Sequence, residues 1–79
     1  MIGNMTMRIE TVNGRKLVCG HIFPHSELAV GQRWAPADGG DYEVTIVEVN
    51  EDYVWHESKF GKIRKDAFGF QVRYCKIVD

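Results

Sequence analysis

The sequence predicts an all-β fold, and three observations support this prediction. Apolar and polar residues alternate with period two over most of the chain, as in strands with one buried face. Turn-forming residues recur at short intervals between these runs. The chain has 79 residues, of which 44% are hydrophobic, enough for one modest core. We therefore expect a single domain, residues 1–79, built from short strands.

The first element is a hairpin with Asn13-Gly14 at its turn. This dipeptide suits a type I′ turn, because both central residues of that turn need positive φ. A two-residue turn places Val12 opposite Arg15 and fixes the register of the two strands. One face then carries an apolar stripe of Met5, Met7, Ile9, Val18 and Ile22, and the more polar face carries Thr6, Arg8, Glu10, Leu17, Cys19 and His21. Residues 1–24 are thus expected to form a hairpin extension.

The middle of the chain predicts one helical turn and three strands. A turn-rich connection, with a helical turn from Ser26, precedes a strand at 32–35, and "APADGGD" has the composition of a loop. In the strand at 42–49, Val44 and Ile46 share one face whereas Val47 and Val49 fall on the other. This change of phase predicts a bend or a β-bulge. The segment "YVWHES" is the return strand.

The C-terminal segment predicts one more turn and a closing strand. "KFGK" is a turn, "IRKDAFG" suits either a short strand or a helical turn, and "FQVRYCKI" alternates as a last strand. In this strand Phe70, Val72 and Tyr74 would share one face. So many short strands in so small a chain indicate a compact barrel of the SH3-like or OB-like kind. We expect an SH3-like barrel over residues 30–78, preceded by the hairpin.

Two segments carry a resemblance to a known group. "GQRW" matches a Gly-Gln-x-Trp strand, and "KDAFGFQVRY" matches a Lys-Asp-x-Phe-x-Phe-Gln-x-Arg-Tyr closing segment. Together with the meander between them, residues 30–78 resemble small accessory proteins of tailed bacteriophages that have an SH3-like barrel. The resemblance implies a phage protein that acts on a host or phage macromolecule, and it carries over no catalytic residue.

The charges are unevenly distributed. Residues 27–58 hold eight acidic residues and one basic residue, a net charge of −7, whereas residues 59–76 hold six basic residues and one acidic residue, a net charge of +5. Oppositely charged strands could complement each other within one sheet, or the two blocks could form charged binding surfaces. The same asymmetry permits self-association between copies.

The cysteines and histidines raise the question of a metal site. Cys19, His21 and His25 lie close together in sequence, and Cys75 is far away. Their spacing lacks the tight pair on a turn that structural zinc sites use. The start "MIGNMTMRIE" has neither the basic region nor the apolar run of a signal peptide, so we expect an intracellular protein. Two cysteines so far apart are then expected to be free thiols in a reducing compartment. We therefore expect no metal, no cofactor and no disulfide, and a cytoplasmic location without membrane contact.

No catalytic signature is present in the sequence. A nucleophile needs an oriented base, and neither a Gly-x-Ser-x-Gly elbow nor a phosphate-cradling glycine loop occurs. Single histidines on strands, such as His56, are more often structural than catalytic. We therefore expect a protein that is not an enzyme.

The remaining hypotheses are two kinds of binding. The aromatic residues exceed what so small a core needs, and tryptophan and tyrosine are favoured residue types at the energetic centre of protein interfaces. The leading prediction is a non-catalytic protein-binding module that modulates or inhibits a host protein. The alternative is single-stranded nucleic-acid binding through the basic, aromatic C-terminal segment. Whether the tryptophans belong to the core or to an interface stays open at this point. The expected binding residues are Trp34, Tyr53, Trp55, Phe60, Lys62, Arg64, Arg73 and Tyr74.

Overall fold

The computed structural model describes residues 7–78, which form one antiparallel sheet of seven strands and one short helix. The strands are β1 (Arg8–Val12), β2 (Arg15–Cys19), β3 (Arg33–Pro36), β4 (Val44–Val49), β5 (Tyr53–Ser58), β6 (Gly61–Asp66) and β7 (Tyr74–Ile77). A 3-10 turn spans His25–Glu27, and helix α1 spans Ala67–Arg73. The strand order is β1-β2-β7-β3-β4-β5-β6. The all-β prediction is confirmed, but the sheet is open, so the SH3-like barrel is not.

The N-terminal hairpin has the predicted turn and register. Asn13 and Gly14 have φ values of 54° and 76°, and Val12 pairs with Arg15. The apolar stripe, however, is not the buried face of the hairpin. Leu17 and Cys19, assigned to the more polar face, are buried, whereas Ile9 of the apolar stripe is 56% exposed. The pairing of β2 with β7 places Leu17 on the same face as Ile77, and there Leu17 and Cys19 pack with Ala35, Cys75 and Ile77 in one buried cluster. Met5 and Thr6, which the sequence places on the two faces of the hairpin, lie outside the described residues.

The predicted irregularity in the fourth strand is confirmed. The register between β4 and β5 shifts between Ile46 and Glu48, so Val47 is the extra residue of a bulge. Val44 and Ile46 are buried before the shift, and Val49 packs against the same core after it. The bulge thus allows the apolar side chains before and after it, from Val44 to Val49, to face the same core.

The prediction of a strand over residues 70–77 is wrong in its first half, where α1 extends to Arg73. The helix begins after Asp66, whose carboxylate accepts a hydrogen bond of 2.8 Å from the backbone N–H of Gly69. This N-cap satisfies a donor that the helix itself leaves free. Ala67, Phe70 and Gln71 turn inward at helical spacing. The prediction failed because the residues of this segment fit two patterns: Phe70, Val72 and Tyr74 recur with the period of two of a strand, and Ala67, Phe70 and Gln71 fit the spacing of a helix.

Two small cores cover the two faces of the sheet. Neighbouring residues of a strand point to opposite faces, and residues paired across strands share one. Trp34 therefore lies on one face and Ala35 on the other. The first core contains Leu28, Trp34, Val44, Ile46, Val54 and Phe70, and the second contains Leu17, Cys19, Ala35, Cys75 and Ile77. The first core lies beneath α1, which supplies Phe70.

Gln71 fastens the loop after the hairpin to the helix. Its side-chain oxygen accepts a hydrogen bond of 2.7 Å from the backbone N–H of Phe23, and its amide nitrogen donates one of 3.1 Å to the carbonyl of Phe23. The buried amide of Gln71 is thereby satisfied. The ring of Phe23 in turn lies 5.9 Å from that of Trp34. The loop thus helps to cover the first core.

Candidate functional site

The outward face of β5 and β6 collects four of the predicted binding residues. On β5, Val54 and His56 are buried, so Tyr53 and Trp55 point away from the first core. Trp55 pairs with Arg64, and Glu57 pairs with Lys62, so these side chains share the outward face. We call this surface, formed by Tyr53, Trp55, Lys62 and Arg64, the β5–β6 face.

Cations lie over aromatic rings on the β5–β6 face. The guanidinium carbon of Arg64 is 4.4 Å from the ring centre of Tyr53 and 5.9 Å from that of Trp55. The ammonium of Lys62 lies 5.2 Å from the ring centre of Trp55. At these distances the ring quadrupole attracts the cation. The contacts hold the long side chains of Lys62 and Arg64 against the sheet, which lowers the entropy that a partner would have to remove.

These two cations have no carboxylate partner in the described part of the chain. Ion pairs there join Arg8 to Glu10, and Arg15 and Arg33 to Glu43. Glu57 is opposite Lys62 in register, yet the two do not come within ion-pair distance. Rings compensate charge less completely than a carboxylate does. The positive charge of Lys62 and Arg64 is therefore available to a partner.

The other predicted binding residues lie elsewhere. Trp34 is 1% exposed and belongs to the first core, so it cannot itself touch a partner. Phe60, exposed at the turn before β6, lies against the ring of Tyr42 at 5.0 Å between ring centres. Arg73 is exposed at the end of α1. The eight residues predicted to bind thus do not form one surface.

Tyr74, the last of the predicted binding residues, joins an aromatic cluster on the inner side of the sheet. Its ring centre lies 5.0 Å from that of Phe70 and 5.4 Å from that of His56. Burial, with a hydrogen bond to Tyr42, raises the pKa of Tyr74 to about 12. Burial also lowers the pKa of His56, whose Nδ1 has no hydrogen-bond partner within residues 7–78. His56 is therefore a buried residue of the core, where burial favours its uncharged form.

The cysteines form a disulfide, so the prediction of free thiols is wrong. The β2–β7 register pairs Leu17 with Ile77 and Val18 with Lys76, which makes Cys19 and Cys75 the next pair. Their Cα atoms are 4.9 Å apart, and the two residues are bonded through their sulfurs. Separation in sequence concealed this pairing, because it follows from the insertion of β7 between β2 and β3.

The histidines near Cys19 have other contacts. The Nε2 atom of His25 lies 2.7 Å from the carbonyl oxygen of Asn50, and the ring of His21 stacks edge-on against Phe23. Between residues 7 and 78, no three histidine, cysteine or acidic side chains are grouped as metal ligands.

The sequence prediction missed three exposed apolar side chains near β6. Ile63 is 47% exposed on the strand itself, and Phe68 and Val72 are exposed one turn apart on α1. The spacing of Phe68 and Val72 at i and i+4 is the signal that could have located them, once that segment is recognised as a helix.

No helix in the described part of the chain is long and apolar enough to cross a membrane. Comparisons with family models, with curated proteins and with solved structures found no match to this chain. The resemblance to phage accessory proteins therefore stays a prediction.

Proposed function

We propose that this protein is a non-catalytic protein-binding module that uses the β5–β6 face. The observation that supports the proposal most strongly is the row of Tyr53, Trp55 and Arg64 on the outward face, held together by cation–π contacts. In this row Tyr53 and Arg64 are exposed and Trp55 is half-buried. Tryptophan, tyrosine and arginine are the residue types that supply most of the binding energy in protein interfaces. Their partial immobilisation before binding reduces the entropic cost of association.

Single-stranded nucleic acid is the second candidate ligand. Lysine and arginine beside exposed rings are the combination that contacts phosphates and stacks on bases. Carboxylates on the same face oppose this function: Glu48 pairs with Trp55, Glu57 with Lys62, and Asp66 with Tyr53. Each would repel a phosphate backbone within about one Debye length. A mixed surface of this kind favours a protein partner.

The resemblance to phage accessory proteins suggests which partner to seek first. We propose a host protein, modulated or inhibited by this chain in the bacterial cytoplasm. The competing hypothesis is self-association, in which the acidic segment of one copy binds the basic segment of another. Its sign would be an average molecular mass in solution that rises with protein concentration.

The test is capture from a bacterial lysate with three forms of the immobilised protein. Trp55→Ala removes the ring of the β5–β6 face that lies beneath both Lys62 and Arg64. Phe68→Ala is the matched control, because Phe68 is also an exposed aromatic residue, 62% accessible, but lies on α1. We expect a host protein retained by the parent and by Phe68→Ala and lost with Trp55→Ala. Circular dichroism melts of all three forms establish that each is folded.

A charge-reversed variant distinguishes the second candidate. If the ligand is nucleic acid, the parent should bind a mixed-sequence oligonucleotide with micromolar affinity that falls steeply with salt. The Lys62→Glu, Arg64→Glu variant should then lose this binding for every sequence alike. Such a result, together with equal protein capture by the parent and Trp55→Ala, would refute the proposal.

A further inference from the structure

Strand β6 is an edge of the sheet, and its free backbone groups can be assigned. In an antiparallel pair, residues alternate between positions that exchange hydrogen bonds with the neighbour and positions that do not. The backbone N–H of Ala67 donates a hydrogen bond of 3.0 Å to the carbonyl of Asp52, in line with the β5–β6 register. Counting back two residues at a time, Lys65 and Ile63 bond to β5.

The alternate residues, Lys62 and Arg64, therefore direct their N–H and C=O groups away from β5. No strand pairs with β6 on that side in the part of the chain that the structure describes. An edge with free donors and acceptors can accept an added strand. The same two residues that present the free backbone groups also place their cationic side chains on the β5–β6 face.

The charge of this edge selects what can pair with it. Three of the six residues of β6 are cationic: Lys62 and Arg64 on the β5–β6 face, and Lys65 on the other face with Ile63. Asp66, the acidic residue at the end of β6, is engaged as the N-cap of α1. Two copies of this edge would bring like charges together, which disfavours pairing with a second copy. An incoming strand with carboxylates would instead complement the edge, because it lies directly beside Lys62 and Arg64, whereas Glu57 on β5 and Glu48 on β4 are one and two strands farther from the edge.

We propose that the free edge of β6 binds an extended acidic segment of a protein partner by β-strand addition. The segment alternates, with carboxylates on the side of Lys62 and Arg64 and apolar residues on the side of Ile63. Side chains of directly opposed residues lie about 4.5 to 5.5 Å apart at Cβ, so a glutamate on the added strand reaches either cation. Ile63, which is 47% exposed, offers the apolar contact on the opposite side. This inference rests on the proposed protein-binding function and specifies its ligand.

The first test uses an eight-residue peptide of alternating glutamate and valine, with blocked ends, and the intact protein. NMR hydrogen exchange is measured residue by residue with and without the peptide. The backbone amides of Lys62 and Arg64 should become protected when the peptide binds, whereas the amide of Ile63, already bonded to β5, should change little. A peptide of alternating lysine and valine is the charge control and should not bind.

The second test separates backbone pairing from charge attraction. Arg64→Pro and Arg64→Thr both remove the cation, but only the proline variant also removes the outward N–H. Proline is tolerated on an edge strand where its N–H would face solvent. Because one hydrogen bond is worth about a factor of five in affinity, Arg64→Pro should bind the peptide about fivefold more weakly than Arg64→Thr.

The outcomes distinguish this inference from the broader proposal. Equal affinities for Arg64→Pro and Arg64→Thr, or no protection of the Lys62 and Arg64 amides, would overturn strand addition. Failure of the acidic peptide to bind at all would do the same. Loss of partner capture with Trp55→Ala would still support the β5–β6 face as the binding surface. If the proline variant were unfolded, the hydrogen-exchange pattern of the parent would decide alone.

Discussion

Removing the disulfide should destabilise the fold by about 4 kcal/mol. Cys19 and Cys75 are separated by 56 positions in the sequence. Cross-linking them restricts the unfolded chain, and the chain-entropy relation for a loop of this length gives roughly 4 kcal/mol at 25 °C. A domain of this size has a total stability of roughly 4 to 12 kcal/mol. The disulfide is therefore expected to supply a large part of it.

The double variant Cys19→Ala, Cys75→Ala is the appropriate perturbation. Both cysteines are buried in the second core, and alanine introduces no polar group there. The free energy of unfolding is measured by urea denaturation for the parent, for the double variant and for the parent in excess reductant. The reduced parent and the double variant should both lose about 4 kcal/mol relative to the oxidised parent.

Two results would refute this reasoning. One is a loss below about 1 kcal/mol, which would show that the cross-link does not restrict the unfolded chain as its loop length requires. The other is alkylation of both thiols in native protein prepared with rapid thiol trapping. The same trapping in the producing cell tests the proposed cytoplasmic setting, where thiols are usually kept reduced: a disulfide trapped there would count against that setting.

Two further predictions concern the core and the first turn. Burial lowers the pKa of His56 from its ordinary value of 6.5, so the unfolded chain binds the proton more readily. The contribution of uncharged His56 to the free energy of unfolding should be complete above pH 6.5. Below pH 6.5, and down to the lowered pKa, this free energy should fall by up to about 1.4 kcal/mol per pH unit. Urea denaturation at several pH values measures this slope, which His56→Leu should abolish. Gly14→Val should lower the free energy of unfolding by about 1 kcal/mol or more in the same assay, because φ at Gly14 is 76°. Lys16→Ala, at an exposed position, should lower it far less. Equal losses for the two variants would contradict the turn assignment.

Local signals in the sequence identified the features that local physics determines. Asn13-Gly14 specified its turn because few residues accept two positive φ values in succession. The change of phase at Val47 predicted the bulge because the apolar pattern must return to one core. Neither inference needed a distant part of the chain.

Features that depend on strand order were not predictable in this way. The burial of Leu17 and the pairing of Cys19 with Cys75 follow from the position of β7 beside β2, which no local pattern encodes. The helix at Ala67–Arg73 was missed because a seven-residue helix and a strand share several apolar positions. Of the predicted site, Tyr53, Trp55, Lys62 and Arg64 come together because β5 and β6 form a hairpin, a local element. The locations of Trp34, Arg73 and Tyr74 could not be predicted, because they depend on tertiary packing between elements that are distant in sequence.

The central claim is that the β5–β6 face binds a protein, and the most direct test is a titration of the captured partner. The partner's affinity is measured by calorimetry for the parent, Trp55→Ala and Phe68→Ala. A central aromatic residue of an interface contributes about 2 kcal/mol or more, so Trp55→Ala should weaken binding roughly 30-fold while Phe68→Ala leaves it unchanged. Unchanged affinity for a folded Trp55→Ala variant would contradict the account.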